Sequence, residues 1–184
     1  MDWISDVFNI KYVLMKNIKK VIVLVLFLSV ISFLGYKISS KIGHKKEIVE
    51  RTKTIPSFSF LDTYNNLYSN KNLPNIPIVF VYFNSNCDYC QSEATKIEEH
   101  LEDFKEVQFV FVSFEKQDSI IAFAKEYKLY NKENIVFLED KKGAFSQIFD
   151  INSIPYIVLY DANKNFMQKF KGATKIDDIL AVLK

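Results

Sequence analysis

Residues 78–93 read IVFVYFNSNCDYCQSE, and this stretch decides how the rest of the chain is read. The unbroken apolar run 78–83 suits a strand buried on both faces. A short polar loop, Asn84-Ser85-Asn86, follows it, and beyond Asp88 the residues Ala94, Ile97, Leu101 and Phe104 recur at helical spacing. Strand, loop and helix in this order place Cys87 at a helix N-terminus. There the unpaired backbone N–H groups and the positive end of the dipole favour a thiolate. The Cys-x-x-Cys spacing also brings Cys90 within reach of Cys87, so the dithiol can close to a disulfide and reopen by thiolate attack.

Other uses of the pair fit less well. Cys87 and Cys90 are the only cysteines of the chain, too few for a disulfide scaffold. A bond closing so short a loop removes little entropy from the unfolded state, so stability is a poor reason for it. Zinc would need four ligands, and the two histidines, His44 and His100, cannot be assembled locally with the cysteines, so no metal is expected.

Outward from this stretch, strand-like and helical patterns alternate. Phe58 and Phe60 alternate with serines before a polar turn at 62–66. Strands are expected at 107–114, 135–138, 156–160 and 166–170, with a turn at 161–164 between the last two. Helices are expected over 88–104, 119–127, 144–149 and 176–183. The alternation, closed by a hairpin and a helix, predicts an α/β fold with a central mixed sheet flanked by helices.

The chain has 184 residues, 49% of them hydrophobic and 15% aromatic, with only four Gly and four Pro, which supplies a buried core and excludes a disordered or collagenous chain. Residues 1–51 carry nine Lys+Arg against four Asp+Glu, whereas the remainder carries fifteen against eighteen. A mildly acidic folded part lacks the clustered cations that phosphate neutralisation needs, so no nucleic-acid partner is expected.

Residues 21–36, VIVLVLFLSVISFLGY, contain no charge and are closed by Lys19-Lys20 and Lys37. Sixteen helical residues span about 24 Å of a ~30 Å hydrocarbon core, and flanking lysines can snorkel to extend the reach. A 20-residue N-terminal tail and the lack of a small-x-small cleavage site favour an uncleaved transmembrane anchor over 21–38. Upstream, Trp3, Val7, Ile10 and Leu14 recur at helical spacing beside lysines, a pattern that suits a short surface helix or a frayed tail. Residues 39–54 are polar and without apolar periodicity, and read as a tether to a domain spanning 55–184. Four lysines precede the apolar run and six basic residues follow it, so the charge count leans against export of the folded part. The redox chemistry points the other way: a tethered dithiol makes sense where exported proteins gain or lose disulfides, the periplasmic face of a bacterial inner membrane.

Four features together carry a resemblance: IPSFSFLD at 55–62, the hydrophobic strand leading to CDYCQSE at 87–93, Ser153-Ile154-Pro155 before a strand, and the closing hairpin and helix. From about Ile55 onward the chain resembles the thioredoxin superfamily, and within it the membrane-anchored thiol-disulfide oxidoreductases of the TlpA/ResA type. The resemblance implies a thioredoxin-like fold, Cys87 as the exposed attacking thiol, Cys90 as the buried resolving thiol and Pro155 in a cis peptide bond beside them. It implies no cofactor; the partners are thiols or disulfides of exported client proteins and a membrane or periplasmic redox partner. Glu93, three residues after Cys90, matches a subgroup position implied to handle protons. Physically, a partly buried carboxylate one turn from Cys90 can shuttle the resolving thiol's proton, while an exposed one in the first turn merely complements the helix dipole.

The chain departs from the family's pattern in two places. Asn86 stands where thioredoxins usually carry Trp, and Asp88-Tyr89 where Gly-Pro or x-Pro is common. An anionic Asp88 beside Cys87 opposes the thiolate, which leans toward a reductant. A peroxiredoxin-like peroxidase would need Thr and Pro at the places held by Asn84 and Phe80. A redoxin domain that binds a client without turnover is the remaining alternative.

Overall fold

The computed structural model describes the backbone from Trp3 to Lys184 and the side chains from Leu26 onward. Two compact units divide the chain, Met1–Glu47 and Ile48–Lys184.

The first unit lies in helix α1 (Trp3–Arg51). Its described side chains, from Leu26 to Glu47, are all exposed, and Leu26–Arg51 is a helix long and apolar enough to cross a membrane, its most apolar window of 18 residues having a mean hydropathy of 1.2. The surface-helix pattern of Trp3, Val7, Ile10 and Leu14 lies outside the described side chains, as do the first five residues of the apolar run.

The stretch expected as a tether, residues 39–54, is helical over most of its length. Residues 39–51 are helical, and the folded unit begins at Ile48 rather than Ile55. A missing apolar period argues against packing but not against helicity: once a helix exists upstream, each added residue gains a hydrogen bond, and the Lys, Glu and Ile of this stretch propagate it. Ile48 and Thr52 are buried, and Arg51 donates from Nε to Ile148 O at 2.7 Å and from Nη2 to Gln147 O at 2.6 Å. The Tyr160 hydroxyl donates to Thr52 O at 3.0 Å.

The second unit is a seven-stranded mixed sheet in the order β2-β1-β5-β4-β3-β6-β7. The strands are β1 (Ser59–Asp62), β2 (Leu67–Ser69), β3 (Ile78–Tyr82), β4 (Gln108–Ser113), β5 (Ile135–Glu139), β6 (Tyr156–Tyr160) and β7 (Phe166–Lys171). β3, β4 and β5 run parallel, with Phe80 opposite Val110 and Val110 opposite Val136; β6 lies antiparallel to β3, and β1 to β5. Helices α2 (Asp88–Glu99), α3 (Gln117–Glu126), α4 (Ala144–Phe149) and α5 (Ile176–Leu183) flank the sheet.

The period-2 alternation of a strand sorts its side chains between the two cores. Val79, Val81, Phe109, Phe111 and Phe137 join α2, α3 and α5 on one face. Ile78, Phe80, Tyr82, Val110 and Val112 join α4 on the other. All five residues of β3 are buried, as the continuous apolar run predicts. Stacked Phe111 and Phe137, with ring centroids 4.7 Å apart, knit neighbouring strands in the first core.

Strand β2 was not expected. It pairs with β1 across a turn in which Asp62 Oδ1 accepts the N–H groups of Tyr64 and Asn66, each at 2.8 Å, while Asn65 adopts φ 64°. The signal was Asp62 followed by Asn65-Asn66, residues that bond their own backbone and tolerate the left-handed region. Because the three parallel strands share a direction, the loops after β3, β4 and β5 and the segment entering β6 gather at one edge of the sheet, the usual place for a site in such a fold.

Candidate active site

Strand β3 delivers the chain into the loop Asn84-Ser85-Asn86, and a side chain from the neighbouring strand's loop holds it there. Glu115 accepts the Ser85 N–H and the Ser85 hydroxyl, each at 2.7 Å, and Ser113 Oγ donates to the same carboxylate at 3.2 Å. Asn86 N–H donates to Asn84 Oδ1 at 2.9 Å and Cys87 N–H to Asn84 O at 3.2 Å, which tightens the turn. Gln91 reaches back with Nε2 to Ser85 O at 2.8 Å, tying the helix to the loop.

Cys87 is the N-cap of α2, with extended backbone at φ −95°, ψ 112°. Its carbonyl accepts the first helical bond from Gln91 N–H at 3.0 Å, and its Sγ takes the cap position, accepting from Cys90 N–H at 3.4 Å. Cys87 is half-buried and Cys90 is buried, both as free thiols. Between them Asp88 and Tyr89 face solvent, Tyr89 being 66% exposed. From across the sheet, Ile154 O lies 4.0 Å from Cys87 Sγ, and the Ile154–Pro155 bond is cis.

Burial pushes the Cys90 thiol far above its ordinary range; the hydrogen bond with Cys87 and the charges of Cys87 and Glu93 act the same way, against a backbone bond from Asn84. Glu93 is fully buried, not a surface residue of the first turn. Burial raises its carboxyl above the ordinary range, opposed first by the Thr174 N–H and then by the charge of Lys96. Thr174 N–H donates to Oε2 at 2.9 Å and Lys96 Nζ stands 4.0 Å from it, while Oε1 has no hydrogen-bond partner among the described residues. Thr174 reaches this position because Gly172, at φ 79°, turns the chain sharply out of β7, its N–H bonding Pro155 O at 2.8 Å.

The structure therefore brings Cys87, Cys90, Glu93 and the cis Pro155 to one edge of the sheet. Ser85, Glu115 and Thr174 were missed. Glu115 is 30 residues from Ser85, and Thr174 is 81 residues from Glu93, so no local spacing could reveal either contact. Among the described residues no group of three or more His, Cys, Asp or Glu could hold a metal ion. His100 instead closes a local contact, its Nδ1 lying 3.0 Å from Asp103 Oδ2.

This edge holds a half-buried thiol, a buried thiol and a buried carboxyl, a set whose chemistry is two-electron thiol–disulfide exchange. Solved structures share the fold at low identity. A secreted Mycobacterium tuberculosis disulfide oxidoreductase homologous to E. coli DsbE is 19% identical, covering 73% of this chain and 96% of its own, with a TM-score of 0.60. A putative thioredoxin from Neisseria meningitidis is 23% identical over 71% of this chain and 87% of its own, with a TM-score of 0.60. The peroxidoxin BcpB of M. tuberculosis is 16% identical over 71% and 93%, with a TM-score of 0.61. No curated protein sequence matches the chain. The sequence pattern of the AhpC/TSA family matches residues 52–175, two-thirds of the chain and nearly all of its folded unit. With that match and the thioredoxin-like sheet, the chain belongs to the AhpC/TSA family and carries a redoxin domain of the thioredoxin superfamily, an oxidoreductase in general function.

Proposed function

We propose that this protein is a membrane-anchored thiol-disulfide oxidoreductase that exchanges disulfides with exported client proteins and works as a reductant. The observation that carries the reading is the division of labour at α2: Cys87 is open to a partner at the helix N-terminus, while Cys90 is buried above a buried carboxyl. The Cys87 thiolate attacks a client disulfide, forming a mixed disulfide and releasing one client thiolate. Cys90 loses its proton to Glu93, attacks Cys87 Sγ and releases the second client thiolate. The client disulfide gains two electrons, and the dithiol becomes the Cys87–Cys90 disulfide. Water alone is a poor proton acceptor for a thiol whose burial raises it so far, which is the reason to assign that proton to Glu93.

The apolar length of α1 supports an anchor, and the need of exported proteins for disulfide chemistry supports a domain at the periplasmic face of a bacterial inner membrane. Asn84 and Phe80, at the places of the peroxidase Thr and Pro, argue against a peroxidase.

The test is trapping. Cys90→Ser keeps the attacking thiol and removes the resolving one, so mixed disulfides with client proteins should accumulate and be released by reductant. Equal trapping by Cys87→Ser overturns the assignment of roles, and trapping by neither variant, with no turnover of an insulin disulfide by wild type, leaves a binding module instead.

A further inference from the structure

A groove opens beside Cys87 that the exchange reaction does not itself need. Its cavity, of about 630 Å³, has Tyr82, Phe114, Ile151 and Ile154 as apolar walls and Lys141 and Lys142 on its rim. Ile154 belongs to both places: its side of the groove continues to the carbonyl that lies 4.0 Å from Cys87 Sγ. A second cavity of about 240 Å³ shares Lys141 and Lys142 and continues past Phe60, Leu61 and Leu67. The two cavities share a pair of lysines, and the first has Ile154 in its wall, the residue whose carbonyl lies 4.0 Å from the attacking sulfur.

The exposed charged side chains that line the two cavities are Lys141 and Lys142; the exposed acids Asp88, beside Cys87, and Asp150, beside Ile151, lie outside both linings. Among the described residues no carboxylate lines the first cavity. In the second, Asp140 is 1% exposed and its oxygens accept the N–H groups of Ala144 at 3.0 Å and Phe145 at 2.8 Å, so it serves as a cap for α4. Glu139 is also buried, its Oε2 3.9 Å from Lys141 Nζ, whereas both lysines are largely solvent-exposed. Phe114, at 53% exposure, leaves a large apolar surface open at the mouth. Apolar walls beneath exposed cations match a chain that alternates carboxylates with apolar side chains.

We propose that this groove binds an acidic, extended segment of the client protein next to its exchanging cysteine, so that Lys141 and Lys142 select clients for reduction at Cys87. The inference rests on the thiol-exchange reading above and adds the substrate class. A client cysteine joined to Cys87 Sγ has its flanking chain directed past Ile154 into the groove, where the lysines meet its carboxylates and Phe114 and Ile151 its apolar residues.

Two fluorescein-labelled peptides of equal length test this with the full chain in nonionic detergent, one alternating Glu with Leu and the other Lys with Leu. Each is made with a serine for binding by anisotropy, and with a cysteine in mixed disulfide with mercaptoethanol for exchange kinetics. The acidic peptide is expected to bind and react roughly tenfold better than the basic one at low ionic strength, with the ratio shrinking as salt is added. The double variant K141E/K142E should invert the ratio, while Lys132→Glu, before β5 at the opposite edge of the sheet, should leave it unchanged. A ratio near one in wild type, or one that K141E/K142E does not alter, overturns the proposal. So does concentration-dependent self-association that K141E/K142E abolishes, which assigns the groove to a second copy of the chain. Charge-selective binding of the serine peptides without exchange of the cysteine peptides removes the proposed reaction and leaves the groove, whereas charge-blind exchange does the reverse.

Discussion

Replacing Glu93 with Gln keeps the shape of a fully buried side chain and its bond from the Thr174 N–H, and removes only the titrating group. Burial raises the Glu93 carboxyl above its ordinary 4.5, so the folded protein holds this proton at pH values where the unfolded chain has released it. Its contribution to stability is therefore complete below the unfolded value and is lost as pH rises through the raised folded one. Between the two, stability falls with a slope that one proton limits to at most about 1.4 kcal/mol per pH unit, and above the folded value the slope vanishes. Gln has no such slope, so Glu93→Gln should match wild type at acid pH and exceed it once pH has risen through the raised folded value. Cys90 does not confuse the comparison, because its thiol also rises from an ordinary 9.0 and titrates only in more alkaline solution. Exchange should move in the opposite direction: loss of a positioned proton acceptor slows it by roughly a hundredfold and changes its pH profile. Urea unfolding of the full chain in nonionic detergent, followed by far-UV circular dichroism across acid to neutral pH, supplies the stability curve, and stopped-flow disulfide exchange supplies the rate. An unchanged pH–rate profile in Glu93→Gln refutes the proton role. Parallel stability curves for the two proteins refute the raised carboxyl on which it depends, and a slower variant that is also less stable reports structural damage.

Removing the Glu115 carboxylate leaves the Ser85 N–H and hydroxyl without their protein acceptor, so Glu115→Ala should cost about 1–2 kcal/mol in urea unfolding and slow exchange at Cys87 by loosening its loop. Phe83 is 1% exposed and its ring lies 4.5 Å from that of Phe123, so Phe83→Ala should cost about 3–5 kcal/mol through lost burial and a residual cavity, read as a lower urea midpoint. Protease added to spheroplasts should digest the folded unit if it faces the periplasm; full protection, with digestion only after lysis, places it in the cytoplasm as the lysine count favours.

The strands and helices of the second unit, and the placement of Cys87 at a helix start, were legible in the sequence because each depends on local order. The unbroken apolar run of β3 marks burial on both faces, and the 3.6-residue spacing of Ala94 and Ile97 marks the buried side of α2. Other local features were not legible. Residues 39–51 lack an apolar stripe, yet helicity there needs only continuation of the helix before them, and β2 is too short at three residues to establish a period. For Glu93 the sequence left two readings, proton carrier or helix-dipole partner, since a carboxylate three residues after Cys90 looks the same whether it faces water or the core. Only the tertiary structure decides that it is buried with no hydrogen-bond partner for Oε1 among the described residues, that Thr174 and Lys96 flank its other oxygen, and that Glu115 holds the loop before Cys87. Those contacts join separate strand ends, and their energies depend on burial and distance, which arise from how the sheet gathers distant segments at one edge rather than from the order of residues along the chain.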